Sequence, residues 1–100
     1  MKKQGIMTSL PAGSLAPIAS LGSGDHELKI VQKEPDGDGN FYIYIEFPDG
    51  FRKTFQVLKI TDLTAKLAAN LKARYGIESL RFTRVSEKMD LGDIILINVQ

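Results

Sequence analysis

The segment from Phe41 to Ile60 constrains the fold of this chain more than any other. Its first part alternates at period two, as in a strand with one buried face. The apolar side of that alternation consists of Phe41, Ile43, Ile45 and Phe47. Pro48-Asp49-Gly50 then supplies a turn, because proline presets φ and glycine accepts a positive φ. A second run, Phe51 to Ile60, follows at once, so the sequence predicts a β-hairpin.

A helix is expected after the hairpin, from about Leu63 to Tyr75. Its leucines recur every four residues, which gives one apolar stripe along the helix. Thr61 or Asp62 offers an oxygen that can cap the first amides. Gly76 stands where a left-handed C-terminal cap belongs.

Three further strands are expected. His26 to Glu34 alternates weakly, which favours an edge position in the sheet. Leu80 to Val85 forms a second short run, followed by a turn or loop over residues 86–93. Ile94 to Val99 is almost continuously apolar, as in a strand that is covered on both faces.

These elements predict an α+β domain of order β-β-β-α-β-β, in which one helix packs across a mixed sheet of four or five strands. One hundred residues, 43% of them apolar and 25% charged, suit a single domain, which we expect over residues 25–100. The expected core consists of Phe41, Ile43, Ile45, Phe47, Phe55, Val57, Leu63, Leu67, Leu71, Leu80, Phe82, Ile95 and Ile97.

Residues 1–24 differ in composition from the rest of the chain. They are rich in Ser, Gly, Ala and Pro and contain no aromatic residue, so a core element is not expected there. We expect an irregular arm that is either mobile or bound to a partner through apolar side chains, among them Leu10, Leu15 and Ile18. A secretion signal is the alternative, but two prolines break the apolar run that such a signal needs.

The predicted order resembles the ubiquitin-like β-grasp fold. The segments that carry the resemblance are Ile45-Glu46-Phe47-Pro48-Asp49-Gly50, Tyr75-Gly76-Ile77 and Gly92-Asp93-Ile94-Ile95-Leu96-Ile97. The short stretch between residues 85 and 94 makes reduced, sulfur-carrier-like members the most similar, although an additional strand precedes the hairpin. The chain ends Asn98-Val99-Gln100, without the terminal Gly-Gly through which modifiers and sulfur carriers of that family act. The resemblance therefore implies a compact protein-binding module rather than conjugation or sulfur transfer.

The net charge of +1 conceals an uneven distribution. Seven acidic residues and two lysines lie between Asp25 and Gly50, whereas nine basic and three acidic residues lie between Phe51 and Lys88. This asymmetry either attracts an acidic partner or nucleic acid, or reflects complementarity between neighbouring strands. A nucleic-acid-binding protein is thus an alternative, with Arg52, Lys53, Arg81, Arg84 and Lys88 as the contacts.

Tyr42 and Tyr44 are the main candidates for a binding surface. Alternation places both on the face opposite Ile43, and we expect them to contact a partner together with Arg52 and Arg81. Aromatic rings beside arginines anchor proteins or stack on bases when their face is open. Otherwise they are ordinary cross-strand pairs, or are covered by the arm or by the strand His26 to Glu34.

No residue pattern predicts an enzyme. Cysteine is absent and His26 is the single histidine, so a thiolate nucleophile and a histidine-rich metal site are excluded. Asp36-Gly37-Asp38-Gly39-Asn40 begins like a calcium loop, but Phe41 and Phe47 stand where that loop requires glycine and glutamate, which favours a plain turn.

We therefore expect a non-catalytic protein-binding module without cofactor or metal. It would act as an adaptor, an inhibitor or a small subunit of a larger assembly. A cytoplasmic location is expected. No membrane partner is expected either, because no stretch approaches the ~20 apolar residues that span a bilayer.

Overall fold

The computed structural model describes residues 19–100. Within them lie one helix and five strands: β1 (Gly24–Pro35), β2 (Phe41–Glu46), β3 (Arg52–Val57), α1 (Ile60–Tyr75), β4 (Leu80–Arg84) and β5 (Ile94–Val99). The strands form one sheet in the order β3-β2-β1-β5-β4. The predicted fold class and the order β-β-β-α-β-β are confirmed.

One detail of the prediction is wrong, because the sheet is antiparallel throughout rather than mixed. All four neighbouring pairs of strands run in opposite directions. Helix α1 does join two strands of the same direction, β3 and β4. These two strands occupy opposite edges of the sheet, so they never pair.

Strand β1 lies at the centre of the sheet and not at the expected edge. Its first half, residues 24–29, pairs with β5, and its second half, residues 29–35, pairs with β2. Only Leu28 and Ile30 are fully buried in this strand, with an irregularity between Ile30 and Gln32. The alternation of β1 is therefore weak although the strand is central, because each of its two neighbouring strands pairs with only about half of its length.

The predicted hairpin is confirmed in β2 and β3. The Phe47 N–H donates to the Phe51 carbonyl oxygen at 2.7 Å, and the Gly50 N–H donates to the Phe47 carbonyl oxygen at 2.9 Å. Gly50 has a φ of 90°, so Pro48-Asp49-Gly50 is a three-residue loop closed by a glycine bulge.

Helix α1 begins three residues earlier than predicted. The Asp62 carboxylate accepts the Leu58 N–H at 3.1 Å and the Lys59 N–H at 3.2 Å, so Asp62 caps the helix from within its first turn. Gly76 ends the helix with a φ of 65°, as expected.

The core lies between α1 and one face of the sheet. Leu63, Leu67 and Leu71 are completely buried there, which confirms the predicted stripe. Three residues of the predicted core, Phe41, Leu80 and Phe82, are only partly buried and pack at its margin. Residues missing from the prediction are Leu28, Ile30, Tyr75, Met89 and Val99.

Candidate binding surface

The face of the sheet opposite α1 is not covered by any element that the structure describes. Cross-strand registers place the following side chains on this open face: Arg52, Thr54 and Gln56 of β3; Tyr42, Tyr44 and Glu46 of β2; Asp25, Glu27, Lys29, Gln32 and Glu34 of β1; Ile94, Leu96 and Asn98 of β5; Arg81 and Arg84 of β4. Each of these side chains points away from the helix, because successive residues of a strand alternate between faces.

Tyr42 and Tyr44 lie on the open face, as predicted. Tyr42 stands between Glu34 and Gln56 on the neighbouring strands and is 37% exposed. Tyr44 is partly buried and has polar neighbours on both sides. Strand β1 flanks the two rings within the same sheet, so it does not cover them.

The two arginines predicted to act with the tyrosines are far apart. Arg52 lies on the strand next to the tyrosines, with its guanidinium 3.9 Å from the Glu46 carboxylate. Arg81 lies on β4, three strands away from β2, a separation of about 14 Å. Arg52 and the tyrosines therefore form one group, to which Arg81 does not belong.

The five basic residues of the nucleic-acid alternative are divided between surfaces. Arg52, Arg81 and Arg84 lie on the open face at opposite edges of the sheet. Lys53 pairs with buried Ile45 and so lies on the helix side, at the exposed edge. Lys88 lies in the loop before β5, where its carbonyl oxygen accepts a hydrogen bond from Lys33. Acidic residues of β1 and β2 separate the arginines on the open face.

The arm residues Leu10, Leu15 and Ile18 lie outside the described residues. The described chain starts at Ala19, whose N–H donates to the Arg74 carbonyl oxygen at 3.3 Å. Ala19 and Leu21 both pack against the core. The arm therefore joins the folded domain at the C-terminal end of α1.

A charged cluster at the tip of the hairpin is a feature that sequence reasoning missed. Asp49 accepts hydrogen bonds from the Arg74 guanidinium and from the Tyr75 hydroxyl, each at 2.5 Å. The Arg74 guanidinium also stacks 3.8 Å above the ring of Phe51. These contacts hold the hairpin tip against the end of the helix. No local pattern reveals them, because about 25 residues separate Asp49 from its partners.

The cluster shifts the pKa of both titrating partners. Hydrogen bonds from Arg74 and then Tyr75 lower the pKa of Asp49 to about 2. Burial, reinforced by the Asp49 carboxylate, raises the pKa of Tyr75 to about 12. Both shifts favour the charged carboxylate and the neutral phenol, as expected for a cluster that stabilises the fold.

The remaining polar groups considered in the sequence have structural partners. The Asp36 carboxylate accepts the N–H groups of Asp38 and Asn40 and the Gln56 amide, which lowers the pKa of Asp36. These bonds close the turn between β1 and β2. His26 lies 2.7 Å from the Gly22 carbonyl oxygen. In the part of the chain that the structure describes, no three metal-binding side chains come together.

Two shallow depressions accompany the open face and its edge. One, of about 440 Å³, lies between the end of β3 and the start of α1 and is lined by Leu58, Ala65 and Lys66 among others. The other, of about 400 Å³, lies where β1 and the hairpin tip separate, beside Glu27, Pro48 and Ile94. Both are open and partly polar, which is unlike an enclosed small-molecule site.

No helix of the described residues is long and apolar enough to cross a membrane. Comparison of the chain with protein-family models, curated proteins and solved structures gives no match. The support for the β-grasp resemblance is therefore limited to a compatible architecture, a small α+β domain with five antiparallel strands and one helix.

Proposed function

We propose that this protein is a non-catalytic protein-binding module whose partner docks on the open face around Tyr42 and Tyr44. The observation that carries the proposal is the 37% exposure of Tyr42 on a sheet face that the helix leaves uncovered. Tyrosine combines a large apolar ring with a polar tip, and it is enriched in the energetic centres of protein interfaces.

The surroundings of the tyrosines support a protein partner. Gln32, Thr54 and Gln56 supply neutral hydrogen-bonding groups around the rings, and Arg52 lies one strand away. A partly apolar centre with a polar margin is the usual anatomy of a protein interface. The two depressions described above are open and partly polar, which suits contact with the surface of a protein that this chain would serve as adaptor, inhibitor or subunit.

The arm supplies a second contact in this proposal. It joins the domain at Arg74, on the side of α1, and therefore starts away from the tyrosines. A partner that engages both regions would reach around the hairpin tip. Leu10, Leu15 and Ile18 remain the expected contacts within the arm.

The proposal includes a relationship to reduced ubiquitin-like proteins. Its support is the succession of a β-hairpin, one helix and two further strands, with the helix packed across the sheet. Protein binding through a sheet face suits that architecture. The insertion of β1 between the hairpin and β5 is the main structural departure from the expected pattern.

The nucleic-acid alternative receives less support from the geometry. Phosphate binding needs several cations along one continuous track. Here Lys53 and Lys88 lie away from the open face, and acidic residues intervene between Arg52 and the arginines of β4.

A capture experiment tests the proposed function. The full chain and the double variant Tyr42→Ala/Tyr44→Thr are immobilised and exposed to an extract of the source organism, and the recovered partner is then titrated in purified form. We expect at least a tenfold weaker affinity for the double variant, because two ring contacts are removed. Thr83→Ala, on exposed β4, is the matched control and should bind like the original chain.

Three outcomes would contradict the proposal. The first is retention of the purified partner by the double variant with unchanged affinity. The second is a chain that recovers no protein but binds generic RNA or DNA with a steep salt dependence, which would favour the alternative. The third is turnover of a small molecule by the purified chain.

A further inference from the structure

The half of the open face formed by β1, β5 and β4 contains two ordered rows of side chains. Leu96 of β5 pairs with Glu27 on one side and with Arg84 on the other. Asn98, two residues further, pairs with Asp25 and with Arg81 in the same way. Each row therefore runs from an acid on β1, through a neutral residue on β5, to an arginine on β4.

This arrangement is complementary to itself. A twofold axis parallel to β5, placed above Leu96 and Asn98, brings β1 of one copy over β4 of the other. Glu27 then faces Arg84 of the second copy and Asp25 faces Arg81 of the second copy, each pair occurring twice. Leu96 and Asn98, which lie on the axis, each contact the same residue of the second copy, as an isologous interface requires.

We propose that this half of the open face binds a second copy of the same chain, sheet against sheet. Sheets packed face to face lie about 10 Å apart, a distance that side chains from both copies fill. Ile94 and Leu96 give the centre an apolar, partly buried surface. The charged residues around it are all exposed; they are Asp25, Glu27, Lys29, Arg81 and Arg84. The interface thus has an apolar centre and a charged margin.

Charge complementarity selects a second copy over an unrelated partner. Two acids and two arginines in register match their own rotated arrangement, whereas a uniformly acidic or basic partner would meet like charges in each row. The net charge of +1 also leaves little overall repulsion between copies. This inference does not rest on the proposed function, because Tyr42 and Tyr44 lie on the other half of the face and stay accessible.

The dimer should be weak. Three strands span only about 15 Å across the sheet, so the buried surface falls below that of a standard stable interface. We expect association at tens to hundreds of micromolar chain, with a dissociation constant that rises with salt concentration because ion pairs form the margin.

Charge reversal with mixing tests the proposal. Glu27→Arg alone and Arg84→Glu alone each place like charges together twice in the homodimer, so each should raise the dissociation constant at least tenfold. An equimolar mixture restores both pairs between unlike chains. We therefore expect sedimentation equilibrium to show two monomeric variants that dimerise when mixed. Glu78→Arg and Lys72→Glu are exposed controls away from this face and should dimerise like the original chain.

The alternative is that the rows act only within one molecule. In that case each reversal would lower the melting temperature, and mixing would change nothing. That result would overturn the proposal, as would an original chain that stays monomeric at about 1 mM.

An independent readout uses the absence of cysteine from the chain. Leu96→Cys places one thiol on the proposed axis. With the two sheets about 10 Å apart, the two thiols are too distant for a direct disulfide, but a short bifunctional thiol reagent should link the two copies. Thr54→Cys places a thiol on the same face but outside the interface. Equal cross-linking of the two variants would overturn the proposed packing, and so would the absence of a Leu96→Cys dimer at concentrations where the original chain associates.

Discussion

Residue-scale features divide into those that periodicity predicts and those that it does not. The outward direction of Tyr42 and Tyr44 follows from strict alternation with Ile43 and Ile45, both of which are fully buried. The contact of Asp49 with Arg74 and Tyr75 was not predictable in this way. It depends on where a turn and a helix end meet in space, and no local spacing encodes that.

Replacement of Asp49 by Asn tests how much the charged cluster at the hairpin tip contributes to stability. We expect a loss of about 1 kcal/mol in the free energy of unfolding at pH 7, since a charge-assisted pair is lost but solvent partly screens it. Thermal or urea denaturation by circular dichroism measures the change. Asp38→Asn, in the exposed turn, should leave stability unchanged.

The pH dependence of that difference has a defined direction. The pKa of Asp49 is lowered to about 2 in the folded chain, from an ordinary value of 3.8. The carboxylate therefore stabilises the fold fully above about pH 4, and this stabilisation is lost as the pH falls towards 2. The stabilities of the original chain and Asp49→Asn should converge over that interval. A constant difference between pH 7 and pH 2 would contradict the assigned role.

At the scale of elements, strong hydrophobic periodicity predicts a helix or a hairpin correctly, whereas a weak pattern does not predict the place of a strand in the sheet. The hairpin and the leucine stripe of α1 follow from regular spacing, and both are present. Strand β1 illustrates the limit, because its weak pattern favours an edge and yet it occupies the centre. The periodicity of a strand indicates which of its residues are buried, but not whether it pairs with one neighbouring strand or with two. The start of α1 was also placed too late by the sequence, because Asp62 caps the helix from inside its first turn.

Truncation of the leucine stripe tests the packing of α1 on the sheet. Leu67 is completely buried, so Leu67→Ala should lower the free energy of unfolding by roughly 2–5 kcal/mol, through lost burial and a cavity. Leu58, which is 56% exposed, provides the matched control, and Leu58→Ala should change stability by less than about 0.5 kcal/mol. Equal effects in chemical denaturation would mean that α1 does not pack as described.

At the scale of the whole molecule, the sequence shows charge asymmetry but not its arrangement. The acidic segment supplies β1 and β2, and the basic segment supplies β3, α1 and β4. The fold then brings the two segments into contact, in the cross-strand pair Glu46–Arg52 and in the contact of Asp49 at the hairpin tip with Arg74 of α1. Neighbouring-strand complementarity thus accounts for part of the asymmetry, and the ordered rows beside β5 account for more. Complementarity between neighbouring strands was one of the two alternatives that the sequence left open, whereas the rows beside β5 depend on the central position of β1, which was not predicted.

The sheet face that no element of residues 19–100 covers is the central feature of the structure, and thiol labelling tests it most directly. In the full chain, which has no native cysteine, Thr54→Cys places a thiol on the open face and Val57→Cys places one on the helix side of the same strand. Val57 is 2% exposed. We predict that Thr54→Cys reacts at nearly the rate of an unstructured peptide, and Val57→Cys at least ~100-fold more slowly, because labelling there requires local opening. Equal protection of both thiols in dilute monomer would contradict an open face.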